Sequence, residues 1–181
     1  NAQYQITTTV DSDGNELMQK TVDNTYVGAV DSIKGLLSES DILTTDMSGN
    51  FASRQVIVYD QYDDYGNAKI QEIWDKEGVD VDGAPAEDLK YKLVDNVYGE
   101  TVVEKILGLV DQSTAITYEE YDYQNKSGLK KVETQIVDYN DITTAGGIFV
   151  EAYDVYGNAQ AQLITTKDKN DEITTVKTII N

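Results

Sequence analysis

Asp11, Asp13, Asn15 and Glu16 crowd oxygen-bearing side chains around Gly14, and Asp80 and Asp82, with Glu87 or Asp88, do the same around Gly83. Hard cations such as calcium take about six to eight oxygen ligands. Asp11, Asp13, Asp80 and Asp82 are therefore the candidate metal ligands of this chain. Their spacing departs from the helix-loop-helix calcium loop. With Gly14 or Gly83 at the sixth loop position, Thr9 or Gly78 falls at the first, where Asp is required. The same clusters also read as plain solvated turns.

Adjacent carboxylates at Asp63 and Asp64, or Glu119 and Glu120, have the residue types that glycoside hydrolysis needs. With 33 acids in the chain, such pairs arise by number alone. The sequence contains no His and no Cys. That removes the commonest general base near neutral pH, thiolate nucleophiles, thiolate metal sites and disulfides. The expectation is a non-enzymatic protein without a cofactor, calcium excepted.

Fourteen basic residues, of which Arg54 is the sole arginine, stand against those 33 acids, for a formal charge of −19. Such a surface repels phosphate backbones and anionic lipid, which argues against nucleic-acid binding and membrane-surface binding. Glycans, cations and basic proteins are the partners it allows. The charge also keeps a strand-rich chain soluble. No stretch approaches the roughly 18 apolar residues of a membrane span, and no apolar leader segment precedes Asn1. Starting with Asn, the chain reads as processed or excised from something longer. Abundant Thr, Tyr, Asn, Asp and Gly with a single proline, Pro85, lean towards an extracellular or cell-surface location.

The elements that would position these residues recur. Val10-Asp11-Ser12-Asp13-Gly14 returns as Val79-Asp80-Val81-Asp82-Gly83, Val22-Asp23-Asn24-Thr25-Tyr26 as Val94-Asp95-Asn96-Val97-Tyr98, and Ile33-Lys34-Gly35-Leu36-Leu37 as Ile106-Leu107-Gly108-Leu109-Val110. The order is kept while the offset drifts upward, which is the mark of a tandem repeat. Tyr59 to Ala68 then matches Tyr153 to Ala159, and Ile164 to Asp168 returns to the pattern of Ile6 to Asp11. This reading gives unit one over 1–69 and unit two over 70–160, with an insertion near 138–147. Residues 161–181 are then the start of a third unit, or exchanged terminal strands.

Within a unit, Ala2 to Val10 alternates through Tyr4, Ile6, Thr8 and Val10, as a half-buried strand does. Asp11 to Asn15 supplies turn chemistry, predicting a hairpin into Glu16 to Val22. Val30, Ile33, Leu36 and Leu37, and in the second copy Val102, Val103, Ile106, Leu109 and Val110, fall at helical spacing. Thr101 and Glu104 form a capping box. A helix of about ten residues is expected in each copy, docking its apolar stripe on the sheet because so short a helix is marginal alone. Further hairpins are expected at Gln55 to Asp63 with Ala68 to Trp74, at Ala115 to Tyr123 with Leu129 to Tyr139, and at Gly147 to Asp154 with Ala159 to Thr166. The class is α+β and sheet-dominant, a tandem repeat of β-hairpins with one short helix per unit.

Asp-x-x-Gly-Asn occurs at Asp11, Asp46, Asp63 and Asp154, and a Tyr-Asp pair leads into two of these turns at Tyr59-Asp60 and Tyr153-Asp154. This resembles the tyrosine-aspartate repeats of bacterial Rhs-type surface and toxin-shell proteins. The chain departs from them in turn spacing and in lacking arginine after the glycine. The resemblance implies hairpins coiling into an extended sheet and a bacterial surface setting. Tyr59, Tyr62, Tyr65, Tyr121, Tyr123, Tyr153 and Tyr156 gather at the hairpins, where their rings either pack across strands or form a sugar-binding or self-association surface. Together these features lead to the expectation of a structural module of a surface protein or filament, joined to itself or to neighbouring repeats by strand addition. The alternative is an adhesion module for glycan or protein, with calcium as a stabiliser.

Overall fold

A computed structural model describes residues 2–26, 28, 31, 34–77, 89–119, 130–143 and 147–181. Twelve strands are defined there: β1 (Tyr4–Val10), β2 (Glu16–Thr25), β3 (Glu39–Asp46), β4 (Phe51–Tyr62), β5 (Ala68–Glu77), β6 (Leu89–Tyr98), β7 (Val110–Glu119), β8 (Lys130–Asp138), β9 (Ile142–Thr143), β10 (Phe149–Val150), β11 (Ala161–Asp168) and β12 (Ile173–Ile180). An α-helix, α1 (Val102–Leu107), separates β6 from β7. Ten strands form one open antiparallel sheet in the order β1-β2-β3-β4-β5-β6-β7-β8-β11-β12, and β9 pairs with β10 in a small sheet of its own. The sheet-dominant class is what the alternating sequence predicts.

The chain divides into two compact units. The first comprises Asn1–Asp60, Gln71–Lys92 and Glu119–Lys130, and the second Gln61–Ile70, Leu93–Tyr118 and Lys131–Asn181. In the first unit the apolar centre is a pair of rings, Trp74 and Tyr91, 8% and 6% exposed, with centroids 5.6 Å apart and planes tilted by 47°. In the second, Ala161 is fully covered and Tyr139 stacks on Tyr153 at 5.7 Å and 14°. Trp74, Tyr91 and Ala161 are the only apolar residues that are buried among the described ones. Most strand positions are half-exposed, as expected where backbone ladders and cross-strand pairs carry the stability.

The helix begins as the sequence predicts. Thr101 Oγ1 accepts the Glu104 amide at 3.2 Å, the Glu104 carboxylate accepts the Thr101 amide at 2.8 Å, and Gly108 closes the C-terminus with φ 67°. It is shorter than expected and does not dock. Val102, Val103 and Ile106 are 57%, 65% and 65% exposed. Caps hold it in place of an apolar contact: Asn67 Nδ2 donates to the Lys105 carbonyl at 2.7 Å. The matching helix expected between Gly28 and Ser38 rests on Val30 and Ile33, which lie outside the described residues.

One strand expectation differs from the structure, and one strand, β3, was not expected at all. The segment Gly147 to Asp154 does not form a full hairpin with Ala159 to Thr166; the two meet at a single bridge, Tyr153 to Ala159. Both sides of β11 are already taken, by β12 (Leu163 opposite Thr178) and by β8 (Leu163 opposite Asp138). Strand β3 has no period-2 pattern to announce it, since Ile42 and Leu43 are adjacent and its one buried residue is polar Ser40. Its neighbours define it: Val22 lies opposite Ile42 on one side, and Gln55 on the other.

Candidate functional site

The acidic turns are built from their own side chains. In the turn from Asp11 to Asn15, Asp11 Oδ1 accepts the amides of Asp13 and Asn15, both at 2.9 Å, and Oδ2 accepts Asn15 Nδ2 at 3.0 Å. The Gly14 amide donates to the Asp11 carbonyl at 3.1 Å, and Gly14 takes φ 83°, a conformation open to glycine at no steric cost. The next strand therefore enters with a one-residue register shift at Thr9/Val10, a bulge built into the hairpin. Asp46, Asp63 and Asp154 repeat this scheme with Asn50, Asn67 and Asn158.

A fifth such turn, Asp168 to Glu172, escapes a search for glycine. Asp168 Oδ1 accepts the amides of Asn170 and Glu172, at 2.8 and 3.0 Å, and Asp171 occupies the left-handed position at φ 67°. The signal for it is a first-position Asp followed by residues that tolerate that conformation, as Asn and Asp do.

These bonds hold the turn carboxylates below their usual range. For Asp11, Asp46 and Asp154 the side chain and amide of the partner asparagine are the main cause. For Asp63, partial burial pushes upward and is outweighed by Asn67, Tyr65 and Gly66. Asp168 is lowered chiefly by the amides of Glu172 and Asn170.

The calcium candidates divide. Asp11 spends three of its roughly four acceptor sites on its own turn. Asp13 is exposed beside it, and Asp80 and Asp82 lie outside the described residues. No group of three or more acidic side chains among the described residues is gathered closely enough to hold a metal ion.

A second feature lies where α1 meets β7. Glu104, Asp111, Asp141, Tyr139 and Tyr153 line an open groove of about 390 Å³. Tyr153 Oη donates to the Val110 carbonyl at 2.6 Å and accepts the Val110 amide at 3.1 Å. Burial pushes this phenol up to about 12; the Val110 bond opposes the rise, and Tyr139 and Asp111 add to it. Burial also raises the Asp111 carboxyl, with repulsion from Glu104 and Glu100 behind it. The groove is thus acidic and aromatic, but its phenol is committed to backbone.

The third feature is the sheet's two edges. Strand β1 is exposed along its whole length, and β12 is exposed except at Ile179. Each belongs to a hairpin pinned by the same device. Asn24 Nδ2 donates to the Ala2 carbonyl at 3.0 Å while its amide reaches Gln3, and Asn181 Nδ2 donates to the Ala159 carbonyl at 2.9 Å while its amide reaches Gln160. Asn96 Nδ2 donates to the Ala68 carbonyl at 3.1 Å in the same sense. The β1–β2 and β11–β12 hairpins also share a register. Tyr4 faces Asp23 as Ala161 faces Ile180, Thr9 faces Met18 as Thr166 faces Thr175, and both shift by one residue at the next pair.

No protein-family model matches the chain, and no curated protein matches it. Among solved structures, a crystal structure of a protein of unknown function from Bacteroides fragilis is similar over 99% of this chain and 92% of that one, at 8% identity and a TM-score of 0.36. Among the described residues no helix is long and apolar enough to cross a membrane.

Proposed function

We propose that the chain is a non-enzymatic structural module of an extracellular bacterial surface protein or filament subunit, built as a tandem repeat of hairpins and assembled through the open edges of its sheet. The observation that carries this reading is the pair of exposed edge strands, β1 and β12, at the two ends of a ten-stranded order. Unpaired amides and carbonyls along such edges are a template for another strand. The repeat draws support from the asparagine that pins three of the hairpins, Asn24, Asn96 and Asn181, and from the common register of the first and last hairpins. The acidic surface fits the same reading by keeping unassembled chains apart, an effect that salt screens. Sedimentation velocity over a wide concentration range tests it. Assemblies that grow with concentration and with ionic strength are expected, and a strict monomer throughout removes the proposal.

An adhesion module for glycan or protein is the second reading, favoured by Val155 and Tyr156, 89% and 86% exposed on the Asp154 turn. A glycan array is its test, with Tyr156→Ala as the control for any binding found.

A further inference from the structure

Three carboxylates, Glu104, Asp111 and Asp141, line the open groove beside α1, and no basic side chain is among the described residues that line it. None of the three has an ion-pair partner among the described residues, although Asp41, Glu119 and Asp171 do. Two are fixed by the fold. Glu104 Oε2 accepts the Thr101 amide and hydroxyl at 2.8 and 2.7 Å, and Asp141 Oδ1 accepts the Ala152 amide at 2.8 Å. Asp111 is half-buried, its carboxyl pushed up by that burial and then by the charges of Glu104 and Glu100. A half-buried carboxylate among like charges is an arrangement that a bound cation relieves.

The groove also narrows which cation. Its carboxylates are not gathered closely enough to hold a metal ion, so the occupant must be larger. Tyr139 and Tyr153, stacked at 5.7 Å and 14°, line the same groove, and aromatic faces attract cations. A guanidinium forks onto a carboxylate, stacks on rings and is less strongly hydrated than an ammonium group. The protein displays the fork itself, where Arg54 Nε and Nη2 both donate to Asp41, at 2.9 and 2.5 Å. Arg54 is the sole arginine and is engaged there, so a second copy of this chain is not the occupant. A neutral saccharide could use the rings, but it leaves the repulsion at Asp111 in place. Leu109 in the groove lining, with Val103 and Leu107 65% and 58% exposed on α1, adds an aliphatic rim. Leu107 lies one helical turn from Glu104 and so neighbours it on the helix surface.

We propose that this groove binds an arginine side chain of a separate, basic polypeptide, with the guanidinium on the Asp111 carboxylate and against the tyrosine rings, and an adjoining aliphatic residue on Val103 and Leu107. The charge of the guanidinium supplies the affinity and its planar fork the selectivity over lysine. The site goes beyond assembly through the sheet edges and stands or falls apart from it.

The test is an NMR titration of the 181-residue chain with a blocked heptapeptide, a central arginine flanked by leucines and otherwise serine and glycine, at about 0.15 M salt so that loose attraction to the acidic surface is screened. Saturable amide shifts confined to 103–111, 139–141 and 152–153 are expected. A peptide with citrulline in place of arginine keeps the shape without the charge and should bind at least about tenfold less well, the worth of a charge-assisted hydrogen bond. A lysine peptide should fall between the two. Asp111→Asn removes a charge that burial disfavours and so keeps the fold, and it should weaken the arginine peptide by a similar factor. Because the citrulline comparison leaves the protein unaltered, it decides the matter even if that variant misfolds. Shifts spread over the Asp11, Asp46 and Asp154 turns, equal binding of the citrulline or lysine peptide, or no shift in the groove at millimolar peptide overturns the proposal. So does displacement of the arginine peptide by a neutral oligosaccharide at lower concentration, which assigns the groove to glycan instead.

Discussion

A single phenol, that of Tyr153, satisfies both backbone groups of Val110, donating at 2.6 Å to its carbonyl and accepting its amide at 3.1 Å. The pairing fastens the segment before β11 to the start of β7. It does for that segment what a ladder of strand bonds does elsewhere. Tyr153→Phe keeps the ring stacked on Tyr139 and removes both bonds, so it should cost about 1 to 2 kcal/mol in urea unfolding. The phenol's own titration gives a second readout. Because the folded state holds a proton that the unfolded chain releases near 10, stability should be intact below that pH and decline as pH rises towards 12. An ultraviolet titration with the folded protein showing all tyrosines ionising together near 10 would contradict the geometry.

Acid should unfold the protein through its turns. Asp11, Asp46, Asp63, Asp154 and Asp168 all have folded values below those of a free carboxylate. Their contribution is therefore fully present above about pH 4 and lost as pH falls through the folded values. Asp63→Asn should lower stability by about 1 kcal/mol at neutral pH, after discounting for solvent screening, and by much less at pH 2. Thermal melts of both proteins across that range check it; parallel curves would contradict the assignment.

Tyr91→Ala should cost about 3 kcal/mol, since it opens a hole against Trp74, the other buried apolar residue among the described ones of this unit. Trp74 is the sole tryptophan, so its emission reports the change directly. A red shift in the folded variant is expected alongside an earlier urea midpoint.

Thr134 is 5% exposed, and its hydroxyl has no hydrogen-bond partner among the described residues. Valine has the same shape without the polar atom, so Thr134→Val should stabilise by about 1 kcal/mol, raising the melting temperature by roughly 3 °C. A fall in melting temperature would show that the hydroxyl is satisfied.

What the residues announced in advance follows a physical division. Local signals were legible: the Asp-x-x-Gly-Asn turns, the Thr101–Glu104 capping box and the alternation in Tyr4 to Val10 all act within a few residues of themselves. Strand β3 was not, because its identity comes from Val22 and Gln55, which lie far along the chain. The undocked α1 shows the opposite error. An apolar stripe predicts burial only if a surface is offered to it, and here capping bonds and Asn67 hold the helix with Val103 and Ile106 exposed. Carboxylate density at Asp11 and Asp13 is legible as well, whereas the way Asp11 shares its oxygens among two amides and the Asn15 side chain of its own turn is not.

The strand order follows the chain almost without a break, interrupted only where β8 passes to β11. Each new strand thus finds its partner a short distance back along the polypeptide, and little chain entropy is spent before the first contacts reward it. Such a molecule can zip up hairpin by hairpin in the order in which a ribosome delivers it, each pair templating the next. The arrangement gives speed to a β-rich topology that would otherwise be slow to form.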